Sequence, residues 1–600
     1  MVGGREGTVR FAAGWTMTIA PSTACKPDSL APTRIASGPS PHASARTWYA
    51  AALGTVAAWV LFRLVYLVWW CPFDLAPDEA HYWDWSRQLD WCYYSKGPLV
   101  AWLIYLGESL CGPWLKDVHG TTMPAVRLPS SICGGLLAFG VFVLTWQITA
   151  FPSLAFLTML AVMLTPHVSV LSTLMTIDSP FLCLWQWSLV AAYYALGLNR
   201  LHRVQDPASD LLPPAYTMQS GSNSSRWVSW LILGLLIGLG VLAKPTMLLF
   251  PACLMLFLVM HRGMRALLSR PAVWCALGLA ALVGAGPILW WNAQHDWVTF
   301  RHLFAQAALV GPIRWRPWGW LEYLGVQSAL LLGTGMVAWL AASLWAVRSH
   351  QPASGFLLAF SWPVFVVFAG FSFRTPIQPN WPVSAYLAAI PLTACWLRAT
   401  WFQAGTPRLA RLLLWPTALI ALLLTIHLHV PHLAYHLGLL PTLARLTGRD
   451  TEPQWPRRFD PTCRLLGWRE IALALQHCRE LCQRSRFDPI LAATPYGTAA
   501  ELAFYLPDQP RVYCLNRANG MRYTQYDLWR PNPLADPQRF TGRIFLCVGP
   551  LSAQARAGFA SVTLLQTVVI HRYGCEIARE YIYLAQDFRG FPEDGQLPRY

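Results

Sequence analysis

The chain has 600 residues, of which 55% are hydrophobic and only 12% are charged. Soluble globular domains carry about a quarter charged residues, so this composition excludes an ordinary soluble protein. The formal net charge of +16 is typical of a membrane protein whose cytoplasmic loops hold the excess Lys and Arg. No basic block with interleaved aromatic residues indicates nucleic-acid binding.

The chain begins with a polar segment and continues with apolar runs. Residues 1–47 are rich in Ser, Pro, Ala and Thr, which predicts a disordered cytoplasmic tail without the apolar core of a signal peptide. The runs approach the length of about 20 residues that a helix needs to cross a bilayer. They lie near 48–70, 124–147, 152–170, 179–198, 227–243, 246–260, 272–290, 320–346, 355–371, 383–400 and 409–430. We therefore predict an α-helical polytopic membrane domain over 48–430, with about 11 transmembrane helices.

The orientation follows from the distribution of positive charge. With the N-terminus in the cytoplasm, the loops at 199–226, 261–271, 347–354 and 398–411 face inward, and each contains Arg, as the positive-inside rule requires. The same alternation places the loop 71–123, the segment 171–178 and everything after about 431 on the outer side. The acids of the first two outer segments therefore face one compartment.

The first outer loop, 71–123, contains "DEAHYWDWSRQLDWCYYSKGP" at 78–98. Pro followed by acids predicts a helix start, and an apolar stripe then predicts a helix lying in the membrane interface. The stripe consists of Tyr82, Trp85 and Leu89. This interpretation leaves Asp84 and Asp90 on a solvated face.

Three acids need a further explanation. Asp78 and Glu79 lie beside the end of a membrane helix, where a carboxylate costs free energy unless it has a partner or a task. Asp178 in "TIDSPF" is an isolated acid in an apolar stretch. It is typical of a helix N-cap and, equally, of a functional carboxylate.

Four cations are candidates for binding a phosphate. They are Arg63, Lys96, Arg127 and Lys244. Each one alone is also typical of a snorkelling or internally paired side chain. Taken together, they predict a cationic pocket that faces the carboxylates.

From about 443 the composition becomes that of a soluble domain. "DPILAATPY" and "RVYCLN" are typical of strands on either side of the helical "GTAAELAFYL", and "RIFLCVGP" and "EIAREYIYLAQ" are further strand candidates. We predict an extracytoplasmic α/β domain over 443–600. Its six Cys residues allow either disulfides or buried thiols.

Ordered motifs carry a resemblance to a known family. "PDEAHYWDWSRQLDWCYYSKGPLVAWLI", "VRLPS", "TIDSPF", "LAKPTMLLF", "LWWNAQHDWVTFRH" and "QPNWPVSAYLA" occur in this order. The chain resembles bacterial glycosyltransferase family 39/83, which includes protein O-mannosyltransferases and lipid A aminoarabinose transferases. The resemblance implies the GT-C fold in the bacterial inner membrane. It also implies inverting transfer of one sugar from a polyprenyl-phosphate donor to an envelope glycolipid or protein on the periplasmic face.

The resemblance also implies roles for individual residues. Asp78, with Glu79 beside it, corresponds to the acid of the first loop, Lys96 to the loop lysine and Asp178 to the acid of the second outer loop. We expect Asp78 to be the base and Asp178 to orient a substrate. We expect further substrate contacts from four residues of the outer loops: His295, Arg301, Asn380 and Trp381.

No cofactor is expected. In aminoarabinose transferases an acid before the lysine is a proposed metal ligand, whereas this chain has Ser95. This departure from the family pattern argues against a metal requirement.

Two other functions remain open. A flippase or transporter of a lipid-linked sugar would share the helices and the cationic site, but it predicts ionisable groups at the bilayer midplane and repeat symmetry. A ligase that transfers a whole glycan would use His and Arg of a large outer loop, for which His295, Arg301 and His302 are candidates.

Overall fold

A computed structural model describes residues 41–203, 216–218, 223–310, 315–401 and 408–592. The chain divides into two units, Met1–Thr47 and Trp48–Tyr600. The predicted disordered tail lies outside the described residues up to residue 40, and a helix begins at Pro41. All the features discussed below belong to the second unit.

The first 430 residues form helices almost throughout their described part. The α-helices are α1 (Pro41–Val65), α2 (Pro77–Ser86), α3 (Leu99–His119), α4 (Met123–Thr149), α5 (Pro152–Leu164), α6 (Pro166–Leu171), α7 (Asp178–Ala195), α8 (Asn223–Ala243), α9 (Leu249–Met260), α10 (Pro271–Ala280), α11 (Gly286–Gln294), α12 (Val298–Gln306), α13 (Gly319–Leu330), α14 (Thr334–Ser349), α15 (Pro352–Ser372), α16 (Ser384–Trp401) and α17 (Arg408–His429). Single 3₁₀ or π segments adjoin them at Tyr66–Trp70, Leu198–Arg200, Pro245–Leu248, Arg262–Ser269 and Ala281–Ala285. A two-stranded hairpin pairs β1 (Leu201–Arg203) with β2 (Tyr216–Met218).

Several of these helices are long and apolar enough to cross a membrane. In the described part of the chain, 5 helical stretches meet that requirement by length and composition: Arg46–Trp70, Met123–Thr149, Arg226–Ala243, Pro271–Gln294 and Pro352–Ser372. The number rises to 7 if each of two bent helix pairs counts as one span. The chain is therefore a multi-pass membrane protein, and the count of about 11 helices stays a prediction.

Two predicted runs are divided in the structure. The run 320–346 consists of α13 and α14, which meet at an angle of 101°, and Gly333 between them has φ +68°. The run 152–170 divides where Pro166 begins α6. A proline at the first helical position starts a new helix rather than continuing the old one, which a hydropathy window cannot detect.

The C-terminal part is the predicted α/β domain. Its helices are α18 (His432–His436), α19 (Leu439–Leu446), α20 (Pro456–Phe459), α21 (Trp468–Arg484), α22 (Tyr496–Tyr505), α23 (Gln525–Leu528) and α24 (Ala553–Ala557), and its strands are β3 (Ile490–Ala493), β4 (Tyr513–Cys514), β5 (Phe545–Val548), β6 (Phe559–Arg572) and β7 (Cys575–Phe588). The sheet order is β4-β3-β5-β7-β6. The pairs β4–β3 and β3–β5 are parallel, and β5–β7 and β7–β6 are antiparallel. In the structure the six cysteines of this part are free thiols, and four of them are buried.

The first outer loop shares one hydrophobic core with this C-terminal domain. Phe73, Trp83 and Trp85 belong to the same buried cluster as Ile471 and Leu546. The prediction that the aromatic side chains of α2 lie in the membrane interface is therefore wrong. These side chains instead fill a protein core, and α2 packs along α22.

One buried ion pair joins α2 to α4. The Glu79 and Arg127 side chains are both 0% exposed, and Arg127 Nη2 lies 2.7 Å from Glu79 Oε2. The second Glu79 oxygen accepts hydrogen bonds from Arg127 Nε at 3.0 Å and from the Met175 backbone N–H at 2.6 Å. Arg127 Nη2 also donates to the Asp74 carbonyl at 2.7 Å. Every polar atom of the pair is thus engaged, which is the condition for keeping two charges in a protein interior.

We predict that Glu79→Gln destabilises the whole chain. The substitution leaves the Arg127 charge buried without a counter-ion, which costs about 3–5 kcal/mol of folding free energy. The measurement is the apparent unfolding temperature of the purified protein in detergent.

The matched control is Arg316→Gln. Arg316 pairs with Glu322, but their side chains are 31% and 55% exposed, and an exposed pair contributes about 0–1 kcal/mol. Equal unfolding temperatures for Glu79→Gln and Arg316→Gln would contradict a structural role for the buried pair.

Candidate active site

A polar cavity of about 310 Å³ lies between the outer loops and the C-terminal domain. Six of the predicted site residues line it: Asp78, Lys96, Asp178, Lys244, Asn380 and Trp381. These residues come from five separate stretches of the chain, and each of them lies at a helix end or in a connecting loop. The structure thus brings two of the three predicted carboxylates and two of the four predicted cations to one place.

Asp78 is held by a residue of the C-terminal domain. It is the second residue of α2 and is exposed, and its Oδ1 accepts a hydrogen bond from the Tyr496 hydroxyl at 3.0 Å. Gly497 makes this contact possible, because a Cβ there would lie 2.6 Å from the Pro77 side chain. The carboxylate is therefore oriented without being neutralised by a cation.

Asp178 is engaged on both oxygens. It is the first residue of α7, and its Oδ1 accepts a hydrogen bond from Lys244 Nζ at 2.7 Å. Its Oδ2 accepts one from the Asn380 side-chain amide at 2.7 Å. Lys244 reaches this position because the backbone is extended between α8 and the following 3₁₀ turn. Asp178 thus ties three separate segments together, which suits the predicted orienting role.

Lys96 faces the same cavity. It lies in the loop before α3, and Gly97 lets this loop approach α8, since a Cβ there would lie 2.1 Å from the Leu242 carbonyl oxygen. Burial and the neighbouring Lys244 lower the pKa of Lys96 to about 8. An anion bound in the cavity would relieve both effects.

Two histidines of the cavity wall are neutral. Burial and the nearby Arg522 lower the pKa of His81 to about 3. Burial, Arg522 and Lys96 lower the pKa of His302 to about 3. Near pH 7 these imidazoles therefore supply hydrogen bonds and ring contacts but no charge.

Several predicted site residues lie elsewhere. Glu79 and Arg127 are engaged with each other and do not line the cavity, so their assignments to catalysis and to donor binding are corrected. Arg63 donates to Ser169 and Thr173, in and next to α6, and is likewise outside the cavity lining. A cation inside a membrane helix needs hydrogen-bond acceptors nearby, and Ser169 and Thr173 supply them to Arg63.

His295 and Arg301 also lie outside the cavity lining. The His295 ring stacks on Trp291 with 3.8 Å between the ring centroids. Arg301 is on α12 and exposed. Of the three candidates in that loop, the structure places only His302 in the cavity wall.

The two acids interpreted as solvated are engaged with protein groups. Asp84 is 7% exposed, burial raises its pKa, and Arg87 lies 3.2 Å away. Asp90 Oδ2 accepts a hydrogen bond from the Trp291 indole at 2.7 Å. By contrast, Leu89 of the predicted apolar stripe is 47% exposed. Because the C-terminal domain covers α2, Asp84 is buried, whereas Leu89, which follows α2, is exposed.

Sequence reasoning missed the contribution of the C-terminal domain to this cavity. Tyr496, Arg522, Tyr523 and Thr524 line it. They are more than 390 positions from Lys96 along the chain. Within the sequence they are ordinary loop residues, and only the contact between α2 and α22 brings them to the cavity.

Metal binding has no positive indication in the described part of the chain. No group of three or more His, Cys, Asp or Glu residues there is arranged to hold a metal ion. Ser95 lines the cavity at the position where the resembling transferases have an acid. Independence from metal stays a prediction.

Comparisons with known proteins bear on the family and the fold of the chain. The family described as dolichyl-phosphate-mannose-protein mannosyltransferase matches residues 95–203 and 212–291. The lipid A galacturonosyltransferase RgtD of Rhizobium johnstonii is 27% identical over 381 residues, which cover 60% of this chain and 67% of that protein. The undecaprenyl phosphate-alpha-4-amino-4-deoxy-L-arabinose arabinosyl transferase 1 of Sodalis glossinidius is 28% identical over 333 residues, 51% of this chain and 52% of that protein.

Solved structures share the fold over almost the whole chain. The apo form of ArnT from Cupriavidus metallidurans has a TM-score of 0.52 at 16% identity and covers 90% of this chain and 98% of its own. The same protein bound to undecaprenyl phosphate has a TM-score of 0.53 at 17% identity and covers 92% and 99%. The resemblance found in the sequence motifs is therefore confirmed: the chain has the ArnT-like GT-C fold, and its homologues are membrane glycosyltransferases of the mannosyltransferase family.

Proposed function

We propose that the chain is an inverting glycosyltransferase that moves a single sugar from a polyprenyl-phosphate donor to an envelope lipid. The observation that carries the proposal is the cavity itself, in which the oriented carboxylate of Asp78 and the ammonium group of Lys96 face one space of about 310 Å³. Such a space accommodates a sugar unit next to a phosphate. The names of the homologues support a lipid acceptor and an undecaprenyl-phosphate donor.

The geometry supports a single displacement. The acceptor hydroxyl loses its proton to Asp78 as its oxygen forms a bond to the anomeric carbon. The bond from that carbon to the phosphate oxygen breaks, and its electron pair stays on the phosphate. Lys96 stabilises the negative charge that grows on the phosphate. Asp178, held by Lys244 and Asn380, orients the bound sugar.

The compartment is part of the proposal. The N-terminus is cytoplasmic, and the cavity and the C-terminal domain are periplasmic, as the arginines of the inward loops indicate. This arrangement places the cavity at the membrane edge, where a prenyl tail stays in hydrocarbon while its phosphate reaches polar groups.

The experiment that tests the function is mass spectrometry of envelope lipids from a deletion strain. The expected result is the loss of one sugar-sized modification from a lipid and its return on complementation. A lipid profile without any loss, together with accumulation of a lipid-linked sugar on the cytoplasmic side, would favour the flippase instead.

We predict that Asp78→Asn abolishes the transfer. An amide cannot accept the proton of the acceptor hydroxyl, and loss of a general base costs about 10²–10⁴-fold in rate. The measurement is the amount of modified lipid in the deletion strain that expresses the variant.

Asp117→Asn serves as the matched control. Asp117 is an exposed acid of α3 in the same outer loop and lies outside the cavity lining, so wild-type activity is expected. If Asp78→Asn were fully active while Asp178→Asn was inactive, the base would have to be Asp178.

We also predict that affinity for undecaprenyl phosphate falls as the pH rises above about 8. The Lys96 ammonium is charged below its pKa of about 8 and neutral above it, so the free enzyme loses the positive charge as the pH rises. The second ionisation of a phosphate monoester is complete by then, since its pKa is about 6. Binding measured by native mass spectrometry or thermal shift should weaken by up to about tenfold per pH unit.

Lys96→Arg tests the origin of this fall, because an arginine stays charged throughout the range. The variant should bind undecaprenyl phosphate with little dependence on pH between 7 and about 9.5. An unchanged pH profile in Lys96→Arg would assign the titration to another group.

A further inference from the structure

A short loop of the C-terminal domain, Arg522–Thr524, forms part of the cavity wall. The Thr524 backbone N–H and hydroxyl both donate to Asp527 Oδ2, at 2.7 and 3.0 Å, which caps α23. The next residue, Gln525, accepts a hydrogen bond from the Tyr94 backbone N–H at 2.7 Å. This loop is therefore fastened to the segment that carries Lys96, two residues after Tyr94.

Arg522 is directed to the cavity by an aromatic ring. Its guanidinium carbon lies 5.2 Å from the centre of the Tyr496 ring, and Tyr496 is the residue whose hydroxyl donates to Asp78. Arg522 also forms a side-chain hydrogen bond with Tyr496, and its guanidinium has further N–H donors. Arg522 is exposed and lines the cavity, so these donors are accessible to a ligand.

Only some of the cations that line the cavity have an ion-pair partner among the described residues. Lys244 is paired with Asp178 at 2.7 Å. Within the described part of the chain, neither Lys96 nor Arg522 has a carboxylate oxygen within 4.0 Å. The two cations thus face the cavity without an ion-pair partner at contact distance, and the more distant Asp78 and Asp178 attract Lys96. The mutual repulsion of the two cations contributes to the lowered pKa of Lys96.

A reacting polyprenyl-phosphate sugar has the complementary charge. The donor is a phosphodiester with one negative charge, and the departing polyprenyl phosphate gains a second as the bond from the anomeric carbon to oxygen breaks. A guanidinium can bind two phosphate oxygens at once, whereas an ammonium acts as a point charge. The two positive charges therefore complement the doubly charged departing phosphate better than the singly charged donor. Binding that strengthens as the bond breaks lowers the barrier.

We propose that Arg522, supplied by the C-terminal domain, binds the leaving phosphate together with Lys96. This inference rests on the proposed function and adds a residue to its active site. The C-terminal domain then completes the catalytic site, and its contact with α2 is required for chemistry as well as for folding.

The test compares two probes, undecaprenyl phosphate and undecaprenol, which differ only in the phosphate. With the full-length protein in detergent, Arg522→Gln should weaken binding of undecaprenyl phosphate at least tenfold and leave binding of undecaprenol unchanged. Arg522→Lys should fall between wild type and Arg522→Gln, because it keeps the charge and loses the two-oxygen contact. In the transfer assay, kcat should fall more than the affinity for the donor.

Arg530→Gln is the matched control, since it removes the same charge from a side chain that is 55% exposed and pairs with Asp536. It should bind both probes as wild type does, and equal unfolding temperatures would show that the variants are folded. If Arg522→Gln bound undecaprenyl phosphate as tightly as wild type, the role of Arg522 would be refuted and the proposed function would stand. If wild type itself bound both probes equally, the polyprenyl-phosphate donor would be refuted.

Discussion

The structure depends on the buried ion pair between Glu79 and Arg127. The pair fixes the first turn of α2 against the N-terminal end of α4 and accepts from or donates to four further backbone groups. Because Asp78 is the neighbour of Glu79, the pair fixes the backbone from which the Asp78 side chain extends, and Tyr496 then holds its carboxylate. An ion pair in a protein interior stabilises little compared with apolar residues of the same volume. Its effect here is to specify one orientation of the helix that carries the proposed base.

The same segment connects the membrane domain to the C-terminal domain. Asp74 Oδ2 accepts a hydrogen bond from the Trp468 backbone N–H at 2.9 Å, and its other oxygen lies 3.0 Å from Arg469 Nε. The Leu75 backbone N–H donates to the Tyr505 hydroxyl at 2.7 Å. With the shared aromatic core, these contacts keep α22 against α2. The C-terminal domain is therefore placed where it closes the cavity over Asp78.

The charged residues of the cavity form two groups: one ion pair, and three residues outside it. Asp178 and Lys244 neutralise each other, so this pair is suited to positioning and to holding the loops together. Asp78 accepts a hydrogen bond from the Tyr496 hydroxyl, a geometry that suits a proton acceptor. Lys96 and Arg522 line the space proposed for the phosphate. Asp178 and Lys244 are buried, whereas Asp78 and Arg522 are exposed.

The sequence by itself determined the membrane class, the C-terminal α/β domain and six residues of the cavity. Apolar runs, strand patterns and ordered motifs are local signals, and the residues Asp78, Lys96, Asp178 and Lys244 lie within them. The residue pattern could not separate Asp78 from Glu79, because adjacent acids on a helix start have the same pattern but point in different directions, and only the family resemblance favoured Asp78 as the base. Only the tertiary structure decided that Glu79 forms an ion pair with Arg127 and that the loop containing Arg522 lines the cavity. The physical reason is that burial and counter-ions depend on segments hundreds of residues apart, and those contacts exist only once the chain has folded.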